Sequence, residues 1–308
     1  MRPPDTLLED VISVRRFAED RPRAASALLW LAAFALTLGA FTHQDRTGPT
    51  YPLEGELETV AGPVRFKFVR SETIGSDLPV ILVDPVPAGI TGRVEYRRFK
   101  SHDDWTVVPM KAGDFEFSRR GRSSSISGVG AALPSLNQRA GKYEFFVLVD
   151  DGTGRSRSVT GDRPVHARYK APVPVWALIT HIFVIFASMT FAIRAVLEAI
   201  VDGNFGWMLK ATIISLILGA FVLGPLAQWY AFGVWWAGVP FGYDWTDNKV
   251  LVSLVAWGIA AFLNRGGRKN RAAVLAAGMV TLLVYFIPHS VFGSEFDYRT
   301  GKGHGTAG

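Results

Sequence analysis

The chain contains no cysteine in 308 residues. That excludes disulfides, thiolate metal sites, c-type haem attachment and a cysteine nucleophile. Any part that folds outside the cytoplasm must therefore rest on its apolar core alone. Charge is also scarce: Asp, Glu, Lys and Arg make up 19 %, against about 25 % in an average soluble domain. No Walker A loop, Rossmann fingerprint or HExxH helix occurs. The nearest glycine strings, Gly128-Val129-Gly130 and the closing GKGHG, lack the strand-to-helix setting that nucleotide binding needs. What the chain does have is apolar length, with 49 % hydrophobic residues and a mean hydropathy of +0.19.

Five stretches are candidates for membrane spans, which need roughly 17–25 residues each. They are Ala24–Phe41, Val173 to Ile200, Leu209 to Trp236, Val250–Leu263 and Ala272–Ile287; the fourth is short and draws on its flanking loops. Basic residues collect on the cytoplasmic side of short loops. Arg2, Arg15, Arg16, Arg21 and Arg23 precede the first span, and Arg265, Arg268, Lys269 and Arg271 lie between the fourth and fifth. Arg194 and Lys210 flank the turn between the second and third. Alternation then puts all three segments on one face. The reading is a bacterial inner membrane protein with its N-terminus cytoplasmic and its C-terminus outside. The first span reads as an anchor, because a long polar segment precedes it and Leu38-Gly39-Ala40 is a poor small-x-small cleavage site. In that segment Leu7, Leu8, Val11, Ile12 and Phe17 approach helical spacing, as in a helix lying on the membrane surface.

Residues 43–172 form one insert between the first two spans. In PVRFKFVR, Val64, Phe66 and Phe68 alternate with Arg65 and Lys67; in GKYEFFVLV, Tyr143, Phe145, Val147 and Val149 share a face. Alternation marks strands with one wet face. Further strands are expected at Gly55–Val60, Pro79–Val83, Gly92–Lys100, Trp105–Lys111 and Asp114–Ser118. AGP, PAG, KAGD and DDGTG supply turns, so a β-sandwich follows. Arg119, Arg120 and Arg122 beside a serine run, and His102-Asp103-Asp104, read as solvated loops, and DDGTG as a hairpin turn. The architecture is thus an α+β membrane protein. It comprises a cytoplasmic segment (1–23), a first helix (24–41), the sandwich (43–172), four further helices (173–292) and a flexible tail (293–308).

The stretches LPSLNQRAGKYEF and VEYRRFKSHDDWTVVPM resemble an immunoglobulin or fibronectin type III domain. That resemblance implies a tyrosine corner at Tyr143, whose hydroxyl bonds to the upstream backbone, and a strand C to C′ hairpin. It implies no catalysis.

Six histidines occur: His43, His102, His166, His181, His289 and His304. His181 falls eight residues beyond Val173, about 12 Å into its span at 1.5 Å per residue, where an ionisable group is a functional candidate. His43, His289, Asp244 and Asp247 are expected at a similar depth zone. His181, His289 and His43 could carry a b-type haem, and His181, His289, Asp244 and Asp247 a transition metal. The competing readings are interhelical hydrogen bonding by His181, capping of the fourth span by Thr246 or Asp247, snorkelling by Lys249 and an ordinary aromatic belt.

The runs PFGYDWTDNK (240–249) and YFIPHSVFGSEFDY (285–298) resemble a family of bacterial polytopic inner-membrane proteins with the motifs PFGxDxTDNK and IPHSxxGSExDY. The resemblance implies that the two motifs belong together and brings no activity with it. The expected role is a membrane component of an envelope complex, with the sandwich binding a protein partner or a second copy. The alternatives are a metal- or haem-binding redox protein and a small-solute or proton-coupled transporter. The expected partners are the lipid bilayer and protein, with no nucleic acid.

Overall fold

The computed structural model describes residues 13, 15–119, 122–150, 153, 155–288 and 293–303. Residues Met1–Thr47, Trp176–Ala227 and Trp245–Val291 make one compact unit; Gly48–Val175, Gln228–Asp244 and Phe292–Gly308 make the other.

The first unit is helical. Its elements are α1 (Pro22–Thr47), α2 (Val175–Val201), α3 (Gly206–Leu216), a π-helical stretch Ile217–Leu223, α4 (Gly224–Phe232), α5 (Trp245–Leu263) and α6 (Arg271–Phe286). Four runs are long and apolar enough to cross a membrane: α1, α2, the continuous Gly206–Phe232 and α5. At 1.5 Å per residue the 26 residues of α1 reach about 39 Å, beyond the ~30 Å of a hydrocarbon core. The α6 helix is apolar but has 16 residues.

Small side chains let these helices approach, which is how helices associate when water does not drive them together. Ala192, Ala195 and Ala199 of α2 share a core with Leu209, Trp257, Ala260 and Ala277. A Cβ on Gly278 would run into Val196. Large apolar side chains such as Leu31, Phe34, Phe183, Val255, Phe262 and Leu283 point outwards and are exposed, as expected of surfaces covered by lipid.

Arg194 does not flank a turn as its sequence position implies. Helix α2 runs on to Val201, which places Arg194 about 10 Å inside the helix end and only 1 % exposed. Its Nη1 lies 2.6 Å from Glu198 Oε1, Nη2 donates to Ser26 Oγ at 3.3 Å, and the guanidinium sits 5.3 Å from the Trp30 ring centre. Residues 15–20 are helical, and Arg15 Nε donates to the Ile200 carbonyl at 3.0 Å, in the last turn of α2.

The second unit is built from two facing sheets. One orders its strands β1 (Leu53–Thr59), β2 (Gly62–Phe68), β4 (Leu78–Val83), β8 (Arg122–Leu133), β7 (Lys111–Arg119). The other runs β3 (Ser71–Thr73), β11 (Val165–Lys170), β9 (Lys142–Asp150), β5 (Thr91–Arg98), β6 (Thr106–Pro109), with β10 (Ser156–Ser158) also on β9. All pairs are antiparallel except β3 with β11. The chain changes sheet twice without a loop, at Val69-Arg70 between β2 and β3 and at Met110 between β6 and β7. The inward residues of both sheets form one apolar core: Val64, Phe68, Val80 and Leu82 face Val94, Tyr143, Phe145, Val147 and Tyr169.

Tyr143, at the start of β9, donates its hydroxyl to the Pro134 carbonyl at 3.1 Å. Burial pushes that hydroxyl up to about 12.

Two sequence expectations change here. The serine run beside the arginines is strand, not loop: Ser123 pairs with Ser118, Ser124 with Phe117 and Ser125 with Glu116, with Arg120 and Gly121 outside the described residues. The tail expected to be flexible folds into a hairpin of β12 (Phe296–Asp297) and β13 (Lys302–Gly303). Its Phe296 N–H reaches the Ala140 carbonyl at 3.0 Å and its Arg299 N–H the Lys100 carbonyl at 3.1 Å.

Candidate functional site

The two sequence motifs meet in both units. In the β unit, Asp244 Oδ2 accepts from the Ser294 N–H at 3.0 Å and from the Ser294 hydroxyl at 3.2 Å, and both residues are buried. This gives Asp244, the last residue before α5, a structural task that no capping argument supplied. In the helical unit Lys249 Nζ donates to the Ile287 carbonyl at 3.2 Å and lies 5.9 Å from the Tyr285 ring centre.

Glu295 continues the second motif. Its carboxylate bridges Lys100 and Lys142, the latter at 2.6 Å. Burial alone would raise that carboxyl, but Lys142 and Lys100 outweigh it and hold Glu295 below the usual carboxylate range. Burial likewise lowers the Lys142 ammonium, with Glu295 working against it. Beside them Arg168 stacks on Phe232 at 4.7 Å. These groups fasten the 228–244 segment, which begins in the last turns of α4, and the tail to the sheets of the β unit.

The helical unit buries an unusual set for membrane-type helices. Lys249 and Ser253 lie four residues apart on α5 and so share a face; both are buried, as are Ser188 on α2 and Thr281 on α6. Together with Leu216, Trp257 and Tyr285 they line a pocket of about 10 Å³, close to the minimum for one water. Trp257 Nε1 donates to Thr281 Oγ1 at 2.9 Å. The Ser253 hydroxyl, in a residue 2 % exposed, has no hydrogen-bond partner among the described residues. Four lining residues of this pocket, Met189, Ala192, Thr281 and Tyr285, also line an apolar groove of about 440 Å³ between α1, α2 and α6.

His181 sits against the π-helical stretch. Its Nδ1 is 3.0 Å from the Gly219 carbonyl, which also accepts from the Gly224 N–H. A carbonyl only accepts, so Nδ1 carries the proton and Nε2 keeps its lone pair. Gly219 makes room for Ile185, which a Cβ there would meet at 2.7 Å, while His181 packs against Gly224. π-helical turns are rare and favour functional positions.

The residues proposed as ligands are not brought together among those described. His181 is tied to Gly219; His43 is exposed, with its ring 5.5 Å from Phe286. Asp247 is buried in the first turn of α5, Asp244 belongs to the β unit, and His289 lies outside the described residues. No group of three His, Asp or Glu side chains is placed to hold a metal among the described residues. Sequence reading passed over Ser253, Ser188 and Thr281, since a hydroxyl in an apolar helix gives no signal until its burial is known.

One face of the β unit also has a recognition chemistry. Trp105, 37 % exposed, lies 5.4 Å from Phe146, and the Arg97 guanidinium covers the indole at 4.6 Å. Val107, 55 % exposed, extends this patch along the edge strand β6. Arg97 is held in place by Glu144 at 2.6 Å.

Comparison of the chain with protein families, with characterised proteins and with solved structures finds no match in any of the three.

Proposed function

We propose that this chain is an integral membrane component of an envelope complex in the bacterial inner membrane, with α6 as a fifth span. In this reading the N-terminus is cytoplasmic and the β unit is an immunoglobulin-type sandwich that docks a protein partner. The strand order supports the sandwich assignment: β4, β8 and β7 take the places of strands B, E and D, and β11, β9, β5 and β6 those of G, F, C and C′. The Tyr143 bond to Pro134 occupies the place of the tyrosine corner.

The observation that carries the docking role is the Trp105–Arg97–Phe146 face. Aromatic residues and arginine dominate the energetics of protein interfaces, and here they are held rigid on an edge of the sheet by their own stacking. A photo-crosslinking residue placed at Val107 in the membrane-embedded protein should yield one discrete protein adduct that Trp105→Ala abolishes. The same residue at Val60, exposed in the turn between β1 and β2 of the other sheet, should yield none. Equal smears at both positions would end this reading. Because the protein has no cysteine, single cysteines at Ser101 and Arg268 report orientation directly. A membrane-impermeant maleimide should label the first from outside and not the second.

A second reading rests on His181. Ligating histidines usually give their other ring N–H to a carbonyl or carboxylate, and the Gly219 carbonyl plays that part here. His181 Nε2 is then the nitrogen that would bind a haem iron or a transition metal. Purified protein with a Soret band or stoichiometric metal, lost in His181→Ala, supports it. Colourless, metal-free protein removes it.

A further inference from the structure

We propose that the β unit binds the phosphate of an anionic phospholipid through Arg70, Arg168 and Lys170, at the β3–β11 edge of its second sheet. Arg168 and Lys170 are alternate residues of β11, so their side chains leave the same face. The parallel register sets Arg168 against Ser71, next to Arg70, and the Arg168 N–H donates to the Arg70 carbonyl at 3.1 Å. On its other side Arg168 faces Lys142 across the ladder, and like charges directly opposite destabilise a sheet. His166, two residues earlier on that face, feels the same crowding. Burial lowers its imidazole, Glu144 works against this, and Lys142 and Arg70 lower it further.

Asp244 and Glu295 attract Arg168 from a distance, and Glu72 attracts Lys170, but each acid has a closer task. Glu295 bridges Lys100 and Lys142, Asp244 accepts from Ser294 and Glu72 from the Thr73 N–H. The side chains of Arg70, Arg168 and Lys170 are half-buried and make no hydrogen bond or ion pair among the described residues; Arg70 Nε is fully buried. Cations that have lost part of their hydration need a counter-charge, and the planar guanidinium fork matches phosphate oxygens.

The place of the cluster in the chain makes that phosphate a lipid's. The Arg168 guanidinium lies 4.7 Å from the ring centre of Phe232, the last residue of a run long and apolar enough to cross a membrane. The Ala171 N–H also donates to the Ala231 carbonyl at 2.9 Å. Helix α2, another such run, begins five residues after Lys170, a reach of at most about 18 Å. Span ends lie at the level of the lipid head groups, where Trp and Tyr gather. Trp229 and Trp235 stack at 5.4 Å beside this cluster's Phe232, and Trp235, Phe241 and Tyr243 are exposed.

The test uses the full chain, delipidated in mild detergent, then titrated with phosphatidylglycerol or with phosphatidylcholine of the same acyl chains and read by native mass spectrometry. Wild type should prefer phosphatidylglycerol roughly tenfold. Arg70→Gln combined with Lys170→Gln should abolish that preference, and Lys170→Gln alone should reduce it several-fold; if the double variant does not fold, the single one decides. Lys111→Gln, exposed on β7 of the other sheet, should change nothing. Equal retention of the two lipids by wild type, or a preference that survives Lys170→Gln undiminished, would overturn the proposal. So would inorganic phosphate that removes the preference by itself, since the site would then take free phosphate. The assignment holds only for a chain that spans the membrane, so alkaline carbonate extraction of membranes runs beside the titration. Release into the soluble fraction would end the membrane reading and the lipid site with it. A chain that stays in the pellet without lipid preference loses the phosphate site alone.

Discussion

The residues that join the two sheets of the β unit are hydrocarbon and aromatic, whereas the helices bury Arg194, Lys249, Asp247, Ser188, Ser253, Thr212 and Thr281. Each unit uses the force its surroundings leave available. In water, removing apolar area stabilises by about 25 cal/mol per Å², and the core between the sheets is built from such area. Between helices long and apolar enough to cross a membrane, lipid would remove that gain and leave close packing and polar contacts to decide the arrangement. The difference teaches where each unit is fragile: the helices at their few charges, the sheets at their backbone spacing.

The largest effect should come from the helical side. Arg194→Met leaves Glu198 without its partner and should cost about 3 kcal/mol or more. Replacing both, Arg194→Met with Glu198→Leu, should cost less, because no buried charge is left uncompensated. Thermal unfolding in detergent measures both; a double variant worse than the single one would break the comparison.

In the β unit a comparable loss needs a backbone collision rather than a lost charge. A Cβ at Gly128 would run into the Leu82 carbonyl across the ladder, which cannot swing aside. Gly128→Val should therefore destabilise by about 3 kcal/mol. Gly278→Val, whose obstacle is the side chain of Val196, should cost less.

Tyr143→Phe removes one hydrogen bond from an otherwise intact corner and should cost about 1 kcal/mol, read as a shift of the urea midpoint with an unchanged slope.

The smallest effect is a pH dependence. The folded Glu295 carboxyl lies below its ordinary value of 4.5. Its stabilisation of the tail is therefore complete above that value and is lost as pH falls through the depressed one. Protection of the Phe296 and Arg299 amides, taken relative to their intrinsic exchange rates at each pH, should fall on acidification over that window, and Glu295→Gln should show low protection already at neutral pH. Equal protection factors at pH 6 and pH 3 would sever the tail from Glu295.

The alternating strands were legible because period-two burial is written directly into side chains: Tyr143, Phe145, Val147 and Val149 all face the core. The strand β8 was not, because Gly128-Val129-Gly130 is devoid of bulk. It is a strand because Leu82 and Val80 carbonyls and the Phe115 ring occupy the space that larger residues would fill. Hydrophobic length located the helices. It carried the second span to Ile200 but could not reveal that Arg194 is buried within it, since charge near a span end looks the same whether it meets solvent or Glu198. In the candidate site, Lys249 read as a snorkelling base, and Ser253 read as nothing; their common face on α5 matters only because Ser188, Thr281 and Tyr285 stand opposite. No pattern in either run marks Asp244 and Ser294 as partners; the bond between them is seen only in the geometry.

Glu295 has a consequence for how the protein is made. Synthesis delivers Lys100 and Lys142 to the β unit first and Glu295 only after the helices α2 to α6. Until then two largely buried ammonium groups lack the carboxylate that bridges them. A chain truncated before residue 295 keeps that defect, so the ion pair acts as a seal closed only once synthesis has passed through the helices that follow the sheets.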